Sequence, residues 1–319
     1  MDIYAKNILN INKQLSLKEL DFYNLEKFGS RERPDAIIVF GMGGSGAVAD
    51  LLKNLSGYVS IKIPVISWKD YDLPLVGFKN PLFLFISFSG NTQETISGFL
   101  KARGRLKAVV SGGGRLTKLA RESEIPLAAF HKNELAPRQA NGLMFYGVLG
   151  IIKKILPETQ IPDLSKKIRP KDSRKIGKAL AAKLKRKIIL IYTSNQNSHL
   201  GYLWKIHFNE TAKALAFCNV LPEMNHNEIV PFESKPKNIA AILIKDRDDS
   251  PEIKKRFRIT GKILKNFGVQ TTNLETKGNA LEKTFNSLTL AEWTSYYLAK
   301  SLKINPLKTE IIEEIKRLI

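Results

Sequence analysis

The sequence is short of cysteine, of acids relative to bases and of long apolar runs, and each shortage removes a class of protein. Cys218 is the only cysteine, so no intrachain disulfide can form, and the chain suits a reducing compartment. The longest nearly unbroken apolar run, Leu143 to Ile152, is about half of what a bilayer-spanning helix needs, and no transmembrane segment is expected. The N-terminus shows no charged segment followed by an apolar stretch and a small-residue cleavage site. The expectation is therefore a chain without a signal peptide that stays in the cytoplasm. The four histidines, His131, His199, His207 and His226, lack any zinc-ligand spacing such as His-Glu-x-x-His. Neither Gly177-Lys178-Ala179 nor Gly261-Lys262-Ile263 gives the Gly-Lys-Ser/Thr ending of a P-loop. No metal and no cofactor are expected.

Acids are outnumbered, 30 against 51 Lys and Arg, for a net charge of +21. Such a charge draws nucleic acid or small anionic metabolites. The densest stretch, Lys166 to Lys187, holds eleven basic residues and one acid, Asp172. Ile176, Leu180 and Leu184 recur there four apart, the spacing of an amphipathic helix whose basic face meets water. A solvated basic helix accounts for the stretch better than a nucleic-acid surface does.

What is present in quantity is the composition of a soluble globular chain, 43% hydrophobic and 25% charged, long enough at 319 residues for two α/β domains with separate cores. After a polar N-terminal helical region, apolar strand-like runs alternate with helical periods, which predicts parallel sheets covered by helices. Strands are expected at Ala36 to Phe40, Pro64 to Trp68, Leu82 to Ile86 and Leu106 to Val110. Helices are expected at Ala47 to Leu55, from Thr92 to about Ala102, and at Asn141 to Ile155. Two prolines make Leu156 to Asp163 read as a linker. The alternation then repeats, with strands at Lys187 to Tyr192, Ile239 to Ile244 and Val269 to Leu274. Helices are expected at Leu200 to Leu215, Glu252 to Phe267, Ala280 to Leu302 and Lys308 to Leu318. The implied domains are 1–155, with the N-terminal helical region, and 171–319, joined by a linker at 156–170.

Two loops carry the chemistry. Gly41-Met42-Gly43-Gly44-Ser45-Gly46 follows a buried strand and opens a helix, where free amides and the positive dipole end suit an anion. Its spacing also satisfies the dinucleotide fingerprint, but the acid that would hold a ribose is only the poorly placed Asp70. Ser87-Phe88-Ser89-Gly90-Asn91-Thr92 ends the third strand and offers three hydroxyls at another helix start. Two such loops on neighbouring strands would surround a small phosphate monoester. The plain alternative is that Ser89 or Thr92 caps a helix.

These loops, together with Asn133 to Arg138, Phe208-Asn209-Glu210 and Leu221-Pro222-Glu223-Met224-Asn225-His226-Asn227-Glu228, resemble the bifunctional phosphoglucose/phosphomannose isomerase family over nearly the entire chain. The resemblance implies two sugar-isomerase (SIS-type) α/β domains, each a mainly parallel sheet flanked by helices. It implies interconversion of fructose 6-phosphate with glucose 6-phosphate and mannose 6-phosphate, in a homodimer without a cofactor. Phosphate binding then falls to Gly44, Ser45, Ser87, Ser89 and Thr92, further substrate contacts to Gly43 and Thr309, and catalysis to Glu210, His226, Arg138 and Lys316. Two positions depart from the family pattern: Thr211 stands where Asn is familiar, and Asn305 where Asp is usual before Pro306.

The residue types suit those roles. Aldose–ketose isomerisation moves a proton between C1 and C2 through an enediolate, which calls for one carboxylate base. Glu210 sits late in a predicted helix among Trp204, Phe208 and Leu215, where partial burial would raise its basicity. Arg138 would stabilise the developing negative charge. His226 would move protons between ring oxygen and O1 during ring opening, with Lys316 as a partner. By themselves, Glu210 and Lys316 read equally as solvated helix faces. A different SIS isomerase would keep both phosphate loops without needing Glu210 and His226 in these contexts. A non-catalytic sugar-phosphate-sensing regulator would need a DNA-binding domain, for which the roughly 35 residues before the first strand leave no room.

Overall fold

The computed structural model describes residues 2–29 and 33–318. The chain divides into two compact units, Asn10–Ile168 and a second formed by Arg169–Ile319 together with Met1–Leu9. The first contains β1 (Asp21–Tyr23), β2 (Ile37–Phe40), α2 (Gly43–Leu55), β3 (Val65–Trp68), β4 (Leu82–Ser87), α3 (Gln93–Lys101), β5 (Lys107–Ser111), α4 (Gly114–Glu122), β6 (Leu127–Ala129) and α5 (Asn141–Ile155). Helix α1 (Ile3–Leu9) precedes them in the chain.

The sheet of the first unit runs β1-β6-β5-β4-β2-β3. Strands β2 to β6 are parallel, and β1 pairs antiparallel with β6 at one edge. Every residue of β2 and β4 is buried, as a parallel sheet covered on both faces requires, and this is why both read as unbroken apolar runs. From β2 the chain goes to β3 on one side, and β4, β5 and β6 then fill the other. The β2/β4 boundary is therefore a topological switch point, where open α/β sheets bind ligands beyond the carboxyl ends of their strands.

The second unit contains α6 (Asp172–Leu184), β7 (Ile188–Ser194), α7 (Ser198–Thr211), β8 (Ala216–Leu221), β9 (Ile239–Asp246), α8 (Pro251–Asn266), β10 (Gln270–Thr276), α9 (Ala280–Ser301) and α10 (Glu310–Leu318). Its sheet, β10-β9-β7-β8, is wholly parallel. Alternate residues feed two cores, as the pleat dictates. Ile189, Ile191, Ala240, Ile242 and Ile244 meet α6, α7 and α9 on one face. Tyr192, Ala241 and Leu243 meet Phe257 and Leu264 of α8 on the other. The expected α/β class, two units each with a mainly parallel sheet flanked by helices, is thus observed.

Several boundaries differ from the sequence expectation, each for an identifiable reason. Helix α2 starts at Gly43, not Ala47, because the second half of the glycine loop is already its first turn and the Gly46 amide donates to Met42 O at 3.0 Å. Helix α7 ends at Thr211 rather than Leu215, because Lys213 turns left-handed with φ +51° and β8 already starts at Ala216. The segment expected as a linker packs on the first unit. The Gln160 amide donates to Val59 O at 2.9 Å, Leu164 N to Leu15 O at 3.1 Å, and Leu156, Thr159 and Leu164 are buried. The N-terminal helix α1 groups with the second unit, not the first, because Tyr4, Ala5 and Ile8 are buried against Trp293 and Tyr296. In α6, Leu180 and Leu184 face the core but Ile176 is exposed. A Cβ on Gly177 would stand 2.7 Å from Trp293 Cβ, so that glycine serves the close approach of α6 to α9. Among the described residues no helix is long and apolar enough to cross a membrane.

Candidate active site

Strands β2 and β4 lie side by side, with Phe40 opposite Phe85, so the loops that leave them emerge at one edge of the sheet. Gly43, Gly44 and Ser45 form the first turn of α2, and no side chain caps it. Their amides belong to the set that a helix cannot satisfy internally, and they carry the positive end of its dipole. The second loop is tied to the first by Ser45, whose Oγ accepts the Phe88 amide at 3.2 Å and donates towards Met144 Sδ at 3.3 Å.

Within the second loop the hydroxyls bond the backbone and one another. Ser87, fully buried, accepts the Gly90 amide at 2.9 Å and shares a 2.9 Å hydrogen bond with Thr92. Ser89 accepts the Asn91 amide at 3.1 Å, which leaves its own O–H as a donor. Thr92 stands at the N-cap of α3, yet its side chain makes no capping bond; its oxygen is engaged with Ser87. The half-buried Ser89 and Thr92 are therefore hydroxyls placed at a helix start for something other than capping. The two loops after β2 and β4 are thus rich in hydroxyls and helix-start amides, a chemistry that suits phosphate oxygens.

Arg138 sits in a single 3-10 turn, Pro137–Gln139, and is 1% exposed. The turn abuts the first loop: a Cβ on Gly44 would lie 3.0 Å from Pro137 O and 3.1 Å from Arg138 N. A side chain at Gly44 would require that backbone to shift by a few tenths of an ångström. Asn141 secures the approach by donating to Gly44 O at 2.9 Å, and Gln14 secures the turn by donating to Gln139 O at 2.9 Å. The fold thus buries the Arg138 side chain in a turn whose backbone packs against the start of α2.

In the second unit the corresponding switch point, between β7 and β9, is filled differently. Lys283 of α9, almost wholly buried, binds Asp246 Oδ1 at 2.7 Å and also Asp248. Burial works to lower the Lys283 pKa, but the hydrogen bonds to Asp246 and Asp248 outweigh it and raise the value. Asn197 adds a bond to Asp246 Oδ2 at 3.1 Å. Carboxylates at that edge oppose an anion, whereas the loops after β2 and β4 present amides and hydroxyls.

Glu210 occupies the last turn of α7, half-buried, with Trp204 and Phe208 on the buried side of the helix. Leu215, expected beside it, lies beyond the helix end and is 64% exposed. The flanking residues are structural: Asn209 Oδ1 accepts the Ala216 amide at 3.0 Å, and Thr211 Oγ1 bonds Tyr4 OH at 2.8 Å. The threonine that departs from the family pattern therefore anchors α1. Glu210 lines an open cleft of ≈ 480 Å³ with Lys213, Asn305, Lys308 and Thr309. The structure brings Glu210 and Thr309 together.

His226 and Lys316 do not line that cleft. His226 is exposed on the turn after β8, and the turn is pinned on both sides of it. Met224 is buried, and Asn225 donates to Thr260 Oγ1 at 2.8 Å and accepts from Arg256 at 3.4 Å. Glu228 accepts from Tyr192 OH at 2.8 Å and from Asn219 at 2.7 Å. Burial and the neighbouring Glu228 carboxylate raise the Tyr192 pKa, so the phenol remains a donor. Lys316 lies exposed on α10 and pairs with Glu313 Oε1 at 2.7 Å. Sequence reasoning missed Lys213, Tyr192 and Thr260, whose local patterns are those of ordinary helix-end, strand and helix residues. Among the described residues no cluster of three or more His, Cys, Asp or Glu side chains could hold a metal ion.

Comparison with known proteins places this geometry in context. Residues 174–319 match the model of the bacterial phospho-glucose isomerase C-terminal SIS domain. The chain is 32% identical to a bifunctional phosphoglucose/phosphomannose isomerase of Aquifex aeolicus, over 88% of this chain and 89% of the relative. A protein of the same name from Caldicellulosiruptor bescii is 29% identical, over 98% and 97%. Among solved structures, glucosamine-6-phosphate deaminase from Thermotoga maritima superposes with a TM-score of 0.67 at 18% identity, covering 96% of each chain. At that identity the likeness speaks for the fold alone.

Proposed function

Because the chain belongs to the bifunctional phosphoglucose/phosphomannose isomerase family, we propose that it is a phosphosugar isomerase interconverting fructose 6-phosphate with glucose 6-phosphate and with mannose 6-phosphate. The observation that carries the reading is similarity to proteins of that name along almost the whole chain. The donor-rich crevice supports the substrate class, since it offers free helix amides and hydroxyls where a phosphate monoester would sit.

In this reading Gly44, Ser45, Ser87, Ser89 and Thr92 hold the phosphate, and Gly43 and Thr309 make further contacts with the sugar. Glu210 takes the proton from C2 of the aldose and returns it to C1, passing through an enediolate. Arg138 stabilises the charge that develops on the enediolate oxygens. His226, with Lys316, moves protons between ring oxygen and O1 so that closed hexose phosphates can enter the reaction. The active protein is a homodimer and uses no cofactor.

The test is an assay of purified protein with each hexose 6-phosphate, with and without EDTA. Fructose 6-phosphate is expected to give glucose 6-phosphate and mannose 6-phosphate at rates indifferent to the chelator. No turnover of any of the three sugars would sink the isomerase reading. Activity lost with EDTA and restored by zinc would sink the metal-free mechanism.

A further inference from the structure

Lys213 follows the end of α7 in the left-handed conformation, with φ +51°. The turn closes with Ala212 N and Ala214 N both donating to Phe208 O, at 3.2 and 3.1 Å. Glycine is the usual residue at such a position, because a Cβ there crowds the following carbonyl. Lys235 and Lys303 also have positive φ, so the conformation alone singles out nothing. What distinguishes Lys213 is its side chain: the ammonium donates to Glu210 O at 2.7 Å, to Asn305 O at 3.2 Å and to Lys308 O. An ammonium has three protons to donate, so one side chain can bind all three carbonyls.

Those acceptors lie on two stretches of chain. Glu210 O is among the last carbonyls of α7, which lack intrahelical partners and form the negative end of the helix dipole. Asn305 and Lys308 bracket the turn that leads to Thr309. That turn is internally ordered, with Asn305 Oδ1 accepting the Leu307 amide at 2.9 Å and Pro306 buried. Beyond it α10 has no fully buried residue to fix its start. We infer that Lys213 is a positioning residue of the proposed isomerase site, its ammonium holding the segment that leads to Thr309 against the helix that carries Glu210. The inference rests on Glu210 and Thr309 being site residues. It adds that their spacing is set by one side chain that binds backbone carbonyls of both segments.

The test compares Lys213→Met, which keeps length but loses the donors, with wild type at a temperature where both are folded. In the variant, kcat/KM for hexose 6-phosphate should fall about tenfold or more, the scale expected when reacting groups are misplaced by a fraction of an ångström. The amides of Leu307 and Ile312, which bond within this segment at 2.9 and 3.0 Å, should exchange with deuterium about tenfold faster, while those of α7 keep their protection. Lys213→Cys in a Cys218→Ala background, alkylated with 2-bromoethylamine, rebuilds an ammonium on a thioether stem and should restore both. Either change without the other, or no restoration, overturns the inference. Glu210→Gln separates the two claims. If that variant turns over substrate at the wild-type rate, the isomerase reading of the cleft fails, and deuterium exchange in Lys213→Met still decides whether the tether exists.

Discussion

A carboxylate and an imidazole illustrate what single residues contribute. Glu210→Gln preserves shape and most polar contacts but cannot accept a carbon-bound proton, so isomerisation should slow by about 10²–10⁴ while sugar-phosphate binding stays near wild type. Deuterium at C2 of glucose 6-phosphate should wash into water with the wild-type protein and be retained with the variant; wash-out at the wild-type rate would remove Glu210 from the role of base. His199 shows the opposite use of a titratable group. It is 3% exposed, with Nε2 3.1 Å from Thr284 Oγ1, and burial pushes its pKa down to about 3. The unfolded chain binds a proton at this residue below about pH 6.5 and the folded chain does not. The stability due to its neutral form is therefore complete above pH 6.5 and is lost as pH falls from there towards 3, at about 1.4 kcal/mol per unit. His199→Gln removes the titration, so urea unfolding between pH 6 and 4 should show a shallower fall in stability than wild type. Parallel slopes would contradict the assignment.

At the scale of elements, placement of the functional groups falls to helix ends and short turns. The start of α2, the Thr92 corner of α3 and the end of α7 each present groups that the helix itself leaves unsatisfied. The turn carrying His226 depends on α8, because Asn225 reaches the fully buried Thr260 hydroxyl at 2.8 Å. Thr260→Val keeps the volume and removes the acceptor, and should cost about 1 kcal/mol of stability. If the turn positions His226 for ring opening, turnover of closed glucose 6-phosphate should fall by about threefold to tenfold. Turnover of an aldotetrose 4-phosphate, which cannot close a ring, should change less. Equal losses on both substrates would show that Thr260 serves packing alone.

For the molecule as a whole, a charge of +21 would speed encounter with the anionic substrate of the proposed reaction, an effect that salt would screen. The chemistry at the two sheet ends also differs between the units. The two units repeat a parallel-sheet plan, yet the switch point of one carries helix amides and hydroxyls, and that of the other carries Asp246, Asp248 and Lys283. What the sequence by itself determined was whatever depends on short spacing. Unbroken apolar runs such as Leu82 to Ile86 marked the central strands, a longer apolar run marked α5, and helical periods marked α8 and α9. Glycines and hydroxyls directly after strands marked the crevice. The three-residue strands β1 and β6 escaped because so few residues carry no period, and β8 because its apolar residues follow α7 after only four intervening positions. Tertiary structure alone decided where α1 packs, since the Tyr4–Thr211 bond spans 207 positions. It also decided that 156–168 belongs to the first unit, that Thr92 bonds Ser87 instead of capping α3, and that Lys213 reaches Asn305 and Lys308. The reason is physical: local periodicity reports which face of an element is buried, while the partner of a polar group is set by distant segments that only folding brings within hydrogen-bond range.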